Sequence, residues 1–470
     1  MKNLKSFFKV VTSNMIVMVL GIVTTLLVPV ILGPEEFGYW QLYVLYSSYV
    51  GLFILGYNDG IYLIYGGKKY EDLNYTKFSS YFYLLSIYLL LISFLFIIMV
   101  PFIAQGERQF VLYGVSIVLV LQCLNSYFIL INQATARFNI YSIINVVEKI
   151  VFTILIILSM ALTRIDFELV IKFSLISKSI VLIVNLIFGY RLISALPIIN
   201  KQIFKEILIN MKAGIFLTFS GVISMLMTGM GRIVVERTLG VLQFGYYSFA
   251  FSVLTIAIQV IVAASVVLFP MLRKSSVEKL FELGFIFDRT LVYIGIFANL
   301  LYYPVYILIE MFLPQYTPSL SAILFIIPII IYQSRISIVY NTIFKVLRYE
   351  RKILYNGLLS LLFSAIVTIL LILSDLTISK MALGTLLTYA FWYYISNFSL
   401  SSRASAKSKF NISYIDVLSV CLFILLNLYS DLTFSFTMYT LYLMFLIGYK
   451  RSELKKIIRF YFNKTKTSSL

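Results

Sequence analysis

Apolar runs of about twenty residues, separated by short polar connectors, recur along the whole chain. A bilayer core about 30 Å thick needs about twenty residues at 1.5 Å rise per residue. On that rule the pattern predicts helices over 10–32, 40–64, 78–103, 109–131, 141–163 and 169–193. After a basic connector come 213–235, 244–269, 285–309, 320–343, 353–373 and 381–400, then a pair at 415–429 and 432–449. The expected fold is an all-α integral membrane protein of about 14 transmembrane helices. Its parts are a six-helix lobe over 1–200, a second over 201–410, an additional helix pair over 411–449, and a basic cytoplasmic tail over 450–470. The first run, preceded by Lys2, Lys5 and Lys9, is longer than a signal-peptide core and lacks a small-x-small cleavage site, so it reads as a retained span.

Composition agrees with that reading. The chain is 61% hydrophobic and 12% charged, against roughly a quarter charged in soluble domains. A formal charge of +18 raises the question of nucleic acid, which the placement of the cations answers. With the N-terminus inside, 29 of the 38 Lys and Arg fall in cytoplasmic segments or, for Arg191 and Arg289, at the span ends beside them, and only Arg108, Arg164, Arg237 and Lys380 fall outside. That asymmetry sets both termini in the cytoplasm by the positive-inside rule and makes the excess charge topological, with no nucleic-acid partner implied. Histidine is absent, and Cys123 and Cys421 lie within apolar runs. Imidazole relays, disulfide frameworks and thiolate metal clusters are therefore excluded, and no cofactor is expected.

The chain also repeats itself. ILGPEEFGYWQLYV at 31–44 matches TLGVLQFGYYSFAF at 238–251, aligning Gly33 with Gly240, Phe37 with Phe244 and Gly38 with Gly245 at a constant offset of 207. The same shift carries the third predicted helix onto the ninth. Two six-helix units in the same orientation imply a pseudo-two-fold axis along the membrane normal around a cavity that opens to each side in turn.

The motif LGPEEFGYW after the first helix, ERTLGVLQFGYYSFA after the seventh, LFPMLRK at 268–274 and ATARF at 134–138 together resemble the multidrug/oligosaccharidyl-lipid/polysaccharide exporter superfamily, and within it the Wzx-type flippases of polysaccharide repeat units. The resemblance spans the whole chain through short structural motifs, so it speaks to the family more strongly than to the substrate. It implies two rocking six-helix lobes in a bacterial inner or plasma membrane and a substrate of oligosaccharide on undecaprenyl diphosphate. The final helix pair departs from the commonest twelve-helix pattern. Fourteen helices occur in the lipid II flippase branch, which stays open as an alternative.

Charges at mid-membrane cost at least about 2.5–3.5 kcal/mol, so each one there asks for a role or a partner. In the seventh helix Ser220, Ser224, Thr228 and Arg232 share one i+4 stripe. Arg232 can grip phosphate bidentately, or it can be neutralised by Glu236 at i+4. Lys178, near the middle of the sixth helix with Ser174 on the same face, is the first choice for a phosphate contact; Lys172 can snorkel and ranks lower. The fifth helix carries Lys149 on a stripe with Asn145 and Thr153, and Glu148 beside it. Glu148 reads either as a coupling carboxylate for a proton or sodium counter-ion or as a partner for Arg335 of the tenth helix, itself a substrate-contact candidate. Asp59 is the second ion-coupling candidate, though charges at its depth, like Asp288, are more often interface residues. Glu35 and Glu36 read as helix-capping groups.

Three functions compete. A flippase of lipid-linked oligosaccharide, working among membrane lipids and alongside polymerases of the same pathway, fits the excess of intramembrane cations over carboxylates. Efflux of cationic drugs within the same fold would want anionic cavity groups. A membrane polymerase would want a large outer loop, whereas the predicted outer loops run to roughly ten residues or fewer; no GxxxxGK[ST] loop for ATP occurs. The expectation is a transporter and not an enzyme. Topology is directly testable: a cysteine at position 68, in a background lacking Cys123 and Cys421, will resist impermeant thiol reagents in intact cells. Ready labelling there would reverse the orientation.

Overall fold

The computed structural model describes residues 2–161, 165–265, 276–347, 349–401, 414–455, 457 and 459. The 268–274 motif, the loop at Arg273, Arg164, Arg348 and the end of the basic tail lie outside them. Among the described residues all regular structure is helical. The helices are α1 (Lys2–Ile31), α2 (Pro34–Tyr49), α3 (Tyr57–Tyr65), α4 (Tyr75–Ile103), α5 (Glu107–Ala134), α6 (Phe138–Ser159), α7 (Phe167–Phe188) and α8 (Lys201–Ser265). There follow α9 (Val277–Ala298), α10 (Tyr302–Phe312), α11 (Leu320–Ile326), α12 (Ile329–Arg335), α13 (Asn341–Val346), α14 (Glu350–Ile372), α15 (Ile378–Ser401), α16 (Tyr414–Tyr429) and α17 (Leu432–Tyr449). Nine helices among the described residues are long and apolar enough to cross a membrane, ten if one bent pair counts as a single span.

That number is smaller than fourteen because the second and tenth predicted spans are broken, the seventh and eighth run on through a kink and count once, α16 has only 16 residues, and α15 is not apolar enough. The predicted seventh and eighth spans are the two helices of α8, which meet at a kink at Gly240, whose φ of 85° is open to glycine alone at little cost. The second span breaks in mid-course into α2, a 3₁₀ segment at Val50–Ile54, and α3, with Leu55 and Gly56 left-handed. Lipid offers nothing to a freed carbonyl, and the protein supplies the partner itself: the Tyr88 hydroxyl donates to Phe53 O at 3.0 Å. The tenth span bends by 53° between Pro314–Ile326 and Ile329–Val346. A π-helical turn at Ile336–Tyr340 follows immediately after Arg335.

The chain packs as two compact units, Met1–Ser248 and Phe249–Leu470. In the first unit the connectors predicted to share a side do meet. At one end Gly67 N donates to Ala134 O at 2.9 Å, Arg137 lies 3.8 Å over the Tyr70 ring, and Lys77 pairs with Glu206 at 2.6 Å. At the other end Glu36 accepts from Phe167 N at 2.8 Å, capping the start of α7, a different helix from its own, and Arg108 pairs with Glu236 at 2.8 Å.

The two copies of the repeated motif also touch. A Cβ on Gly38 would overlap the Val241 carbonyl, and a Cβ on Gly245 would overlap the Pro34 carbonyl. Gly38 and Gly245 are repeat equivalents, as are Pro34 and Val241, so the contact is reciprocal, as a local two-fold axis requires.

In the second unit the additional pair, α16 and α17, is pinned by buried polar contacts. Arg335 Nε and Nη2 donate to the two oxygens of Asp288 at 2.8 and 2.9 Å, and Nη1 donates to Asp416 at 2.7 Å. The Tyr393 hydroxyl closes the cluster. Arg335, Asp288 and Asp416 are 0%, 3% and 0% exposed. Asp288 is therefore no interface charge: it is buried, and the guanidinium beside it supplies the hydrogen bonds that water would otherwise give. Tyr439 adds a bond to Ile296 O at 3.1 Å, and Asn299 donates to Tyr439 at 3.0 Å. Removing one member of such a buried group strands the others. Arg335→Met is expected to lower stability by about 3–5 kcal/mol, read as a fall in the unfolding midpoint in detergent. Arg289→Met, at a pair 3.7 Å from Glu453, will cost far less.

Candidate functional site

Three of the sequence-predicted residues converge in the first unit. Glu148 and Lys149 project from α6 and Lys178 from α7, and all three line one cavity of about 260 Å³. Its other walls come from α2 (Trp40, Tyr43, Ser47, Ser48), α5 (Gln122) and α7 (Ser174, Ser177). Lys178 Nζ lies 3.0 Å from Glu148 Oε1, with the two side chains 17% and 29% exposed. This is Glu148's partner within the first unit, while Arg335, weighed as a partner from sequence, pairs with Asp288 and Asp416 within the second. The Tyr43 hydroxyl and Ser174 Oγ are 3.2 Å apart across the cavity wall. Trp40 stacks on Tyr43 and on Phe152, with centroids at 5.4 and 5.7 Å, closing one side with aromatic surface.

The remaining candidates lie elsewhere. Arg232 donates to Gln41 Oε1 at 2.8 Å and to Ser248 Oγ at 3.2 Å, and it stands 5.6 Å from the Phe244 ring centroid. Glu236 does not neutralise it. That carboxylate is 1% exposed and faces Arg108 at 2.8 Å and Arg237 at 3.3 Å. Ser220, Ser224 and Thr228 donate to carbonyls of their own helix at 2.9, 3.2 and 2.9 Å, so their hydroxyl protons are already used, although Ser224 is exposed. Gly229 on the same helix packs closely against the Tyr49 hydroxyl, where a Cβ would overlap it.

Asp59 sits in the first turn of α3, just past the helix break, where the N-terminal end of a helix favours a carboxylate. It accepts from Thr218 at 2.6 Å. The approach is tight: a Cβ on Gly214 would overlap the Gly56 carbonyl and the Gly60 nitrogen. Arg335 lies in the second unit with no exposed surface, so a substrate would have to displace two carboxylates to reach it. Among the described residues no group of three His, Cys, Asp or Glu stands close enough to hold a metal ion.

Sequence reasoning passed over Asp416, Tyr43, Gln122 and Trp40. Asp416 falls one residue inside the predicted span 415–429 and looks like an ordinary interface charge; no local signal separates it from Asp431 at the span's other end. Tyr43 and Trp40 are two aromatics in a chain that is 17% aromatic. The i+3 spacing of Trp40 and Tyr43, and Ser174 four residues before Lys178, were the available signals.

This architecture is shared with known structures. The lipid II flippase MurJ in its inward closed conformation superposes with a TM-score of 0.66 at 13% identity, covering 96% of this chain and 100% of that one. Inward-facing and outward-facing multidrug resistance MATE family transporters of the MOP superfamily give 0.58 and 0.54 at 14% and 13% identity, each over 83% of this chain and 95% and 93% of theirs. No curated protein matches. The fold is thus the one seen in these MOP-superfamily structures. Residues 3–276, more than half of the chain, match the model of one sequence family, and the chain belongs to it: the polysaccharide biosynthesis protein family.

The Lys178–Glu148 contact can be checked by exchange. Lys178→Glu or Glu148→Lys alone places two like charges in the cavity, and each will lower the level of folded protein in the membrane. The double exchange will restore it, with a coupling of about 0.5–3 kcal/mol in a double-mutant cycle on detergent-solubilised protein.

Proposed function

We propose that this protein is a flippase that carries an undecaprenyl-diphosphate-linked oligosaccharide from the cytoplasmic to the outer leaflet by alternating access of the two lobes, 1–200 and 201–410. The observation that carries the reading is the cavity of the first unit, where two ammonium groups face one carboxylate among serines and a glutamine inside a membrane-spanning bundle. A diphosphate crossing hydrocarbon must exchange its water for cations and hydrogen-bond donors, and this cavity offers both. Membership of a polysaccharide biosynthesis family supports a sugar-bearing cargo. The cationic excess disfavours efflux of cationic drugs, and family and fold together favour transport over catalysis. The likeness to the lipid II flippase over nearly the full length of both chains supports a second reading, in which the cargo is a lipid II-type precursor with the same diphosphate.

Lys178 and Lys149 are the diphosphate contacts in this proposal. Arg232, with Ser224 and Thr228 on its stripe, is a second station, and Glu148 and Asp59 are the carboxylates for ion coupling. The protein is placed in the bacterial cytoplasmic membrane with both termini inside, in keeping with the 29 to 4 distribution of basic residues and the like-sided connectors that meet in the first unit. Lys149→Gln and Lys178→Gln will each remove a charge-assisted contact worth about 1.5–3 kcal/mol, slowing flipping by roughly tenfold to a hundredfold. Substrate will accumulate on the inner leaflet while membrane levels stay normal. Arg232→Lys will retain part of the activity, because an ammonium cannot copy the guanidinium fork. Normal flipping by both Lys variants would reject the site.

A further inference from the structure

The cavity of the first unit already holds an anion of the chain's own. Glu148 binds Lys178 through Oε1, and Oε2 has no partner among the described residues. The ammonium of Lys149, the next residue along, lies close enough to act on Glu148 electrostatically but makes no hydrogen bond or ion pair among them. This differs from the Arg335 cluster, where both Asp288 oxygens are taken and nothing is exposed. A half-satisfied pair opening on a polar cavity can be displaced, whereas a saturated, sealed one cannot.

The other groups around Glu148 are neutral. Tyr43 faces it from α2, Gln122 from α5, and Ser174 and Ser177 from α7, while α1 packs against α6 with only uncharged side chains over 12–31. The local inventory is two ammoniums and one carboxylate, so the cavity can accept an outside anion only by competing with Glu148 or by using Lys149. Its volume lies just below the roughly 300–1,000 Å³ of ordinary small-molecule sites, which suits a phosphate headgroup and excludes the sugar chain.

We propose that Glu148 is an internal stand-in for the substrate's phosphate. The incoming diphosphate takes Lys149 and Lys178 together, the Lys178–Glu148 contact opens, and the released carboxylate takes one proton from water to become a carboxylic acid, so anion and proton are bound as a pair. The reason is the cost of burial: a carboxylate in this wall is tolerated while an ammonium faces it, and once both ammoniums are given to the ligand, neutralisation is the inexpensive outcome. No other bond is made or broken. The proton then accompanies the anion instead of being exchanged against it, so Glu148 acts in co-binding and not as a counter-ion carrier. The inference rests on the anion-site reading above.

The test uses the full chain in lipid nanodiscs with inorganic pyrophosphate as probe, titrated by calorimetry in buffers of different ionisation enthalpy. The quantity read is the difference in proton uptake between wild type and Glu148→Gln, which cancels the probe's own ionisation. Wild type is expected to take up about one more proton per pyrophosphate than the variant. Glu148→Gln is expected to bind about tenfold more tightly, with affinity less dependent on pH, because the competing anion is gone. Lys149→Gln is expected to bind at least about tenfold more weakly. Glu148→Ala repeats the comparison should the Gln variant fail to fold. Pyrophosphate binding that is weakened by Lys149→Gln but shows neither the proton difference nor the tightening would overturn the stand-in role and leave the anion site in place. Binding absent from folded wild-type protein, or indifferent to Lys149, would overturn the anion-site reading itself.

Discussion

Hydrocarbon supplies no hydrogen bonds and little screening, so every charge and every freed backbone group inside the spans must find its partner within the protein. The interior of this chain is organised by that constraint. Arg335 has Asp288, Asp416 and Tyr393; Lys178 has Glu148; Arg232 has Gln41 and Ser248; Asp59 has Thr218; the open carbonyl of Phe53 has Tyr88. Each partnership fixes one helix against another, and so the polar minority of the sequence determines where the apolar majority packs.

The partnerships differ in how completely they are closed, and the difference separates architecture from chemistry. Around Arg335 two carboxylates and an aromatic ring leave no surface, and the result is a rivet that holds α16 against α9 and α12. Around Lys178 the pairing is single, the side chains are 17% and 29% exposed, and a neighbouring ammonium is left over. Evenly matched buried charge gives rigidity. Unevenly matched charge facing a cavity gives affinity for something that is not yet there.

Much of this was legible from residue order. Twenty-residue apolar runs locate helices because the bilayer imposes a length, and the Lys and Arg distribution groups the connectors that meet in the first unit. Glu148, Lys149 and Lys178 each stood out as intramembrane charges, but nothing in the residue order brought them together in one cavity. What stayed hidden was pairing. Nothing near Glu236 says that it will turn to Arg108 in place of Arg232, because an i+4 neighbour and a residue on another helix compete on geometry that only the packed bundle sets. The break at Leu55 was equally silent, for Gly56 is one glycine among 22. Asp416 resembled any charge at a span's edge until packing carried it to Arg335.

The glycine contact between the repeated motifs limits what either copy can vary. A contact in which Gly38 meets the carbonyl of Val241, and Gly245 meets the carbonyl of Pro34, is the one that two identical half-length chains would make around their own dyad. Elsewhere the two copies differ, even within the motif itself: Glu36, which caps α7, is matched in the second copy by the uncharged Gln243. The two glycines do not share that freedom. A methyl group on either one would strike the backbone of the other copy, so a side chain at one glycine would push the two turns apart and loosen the fit at its counterpart as well.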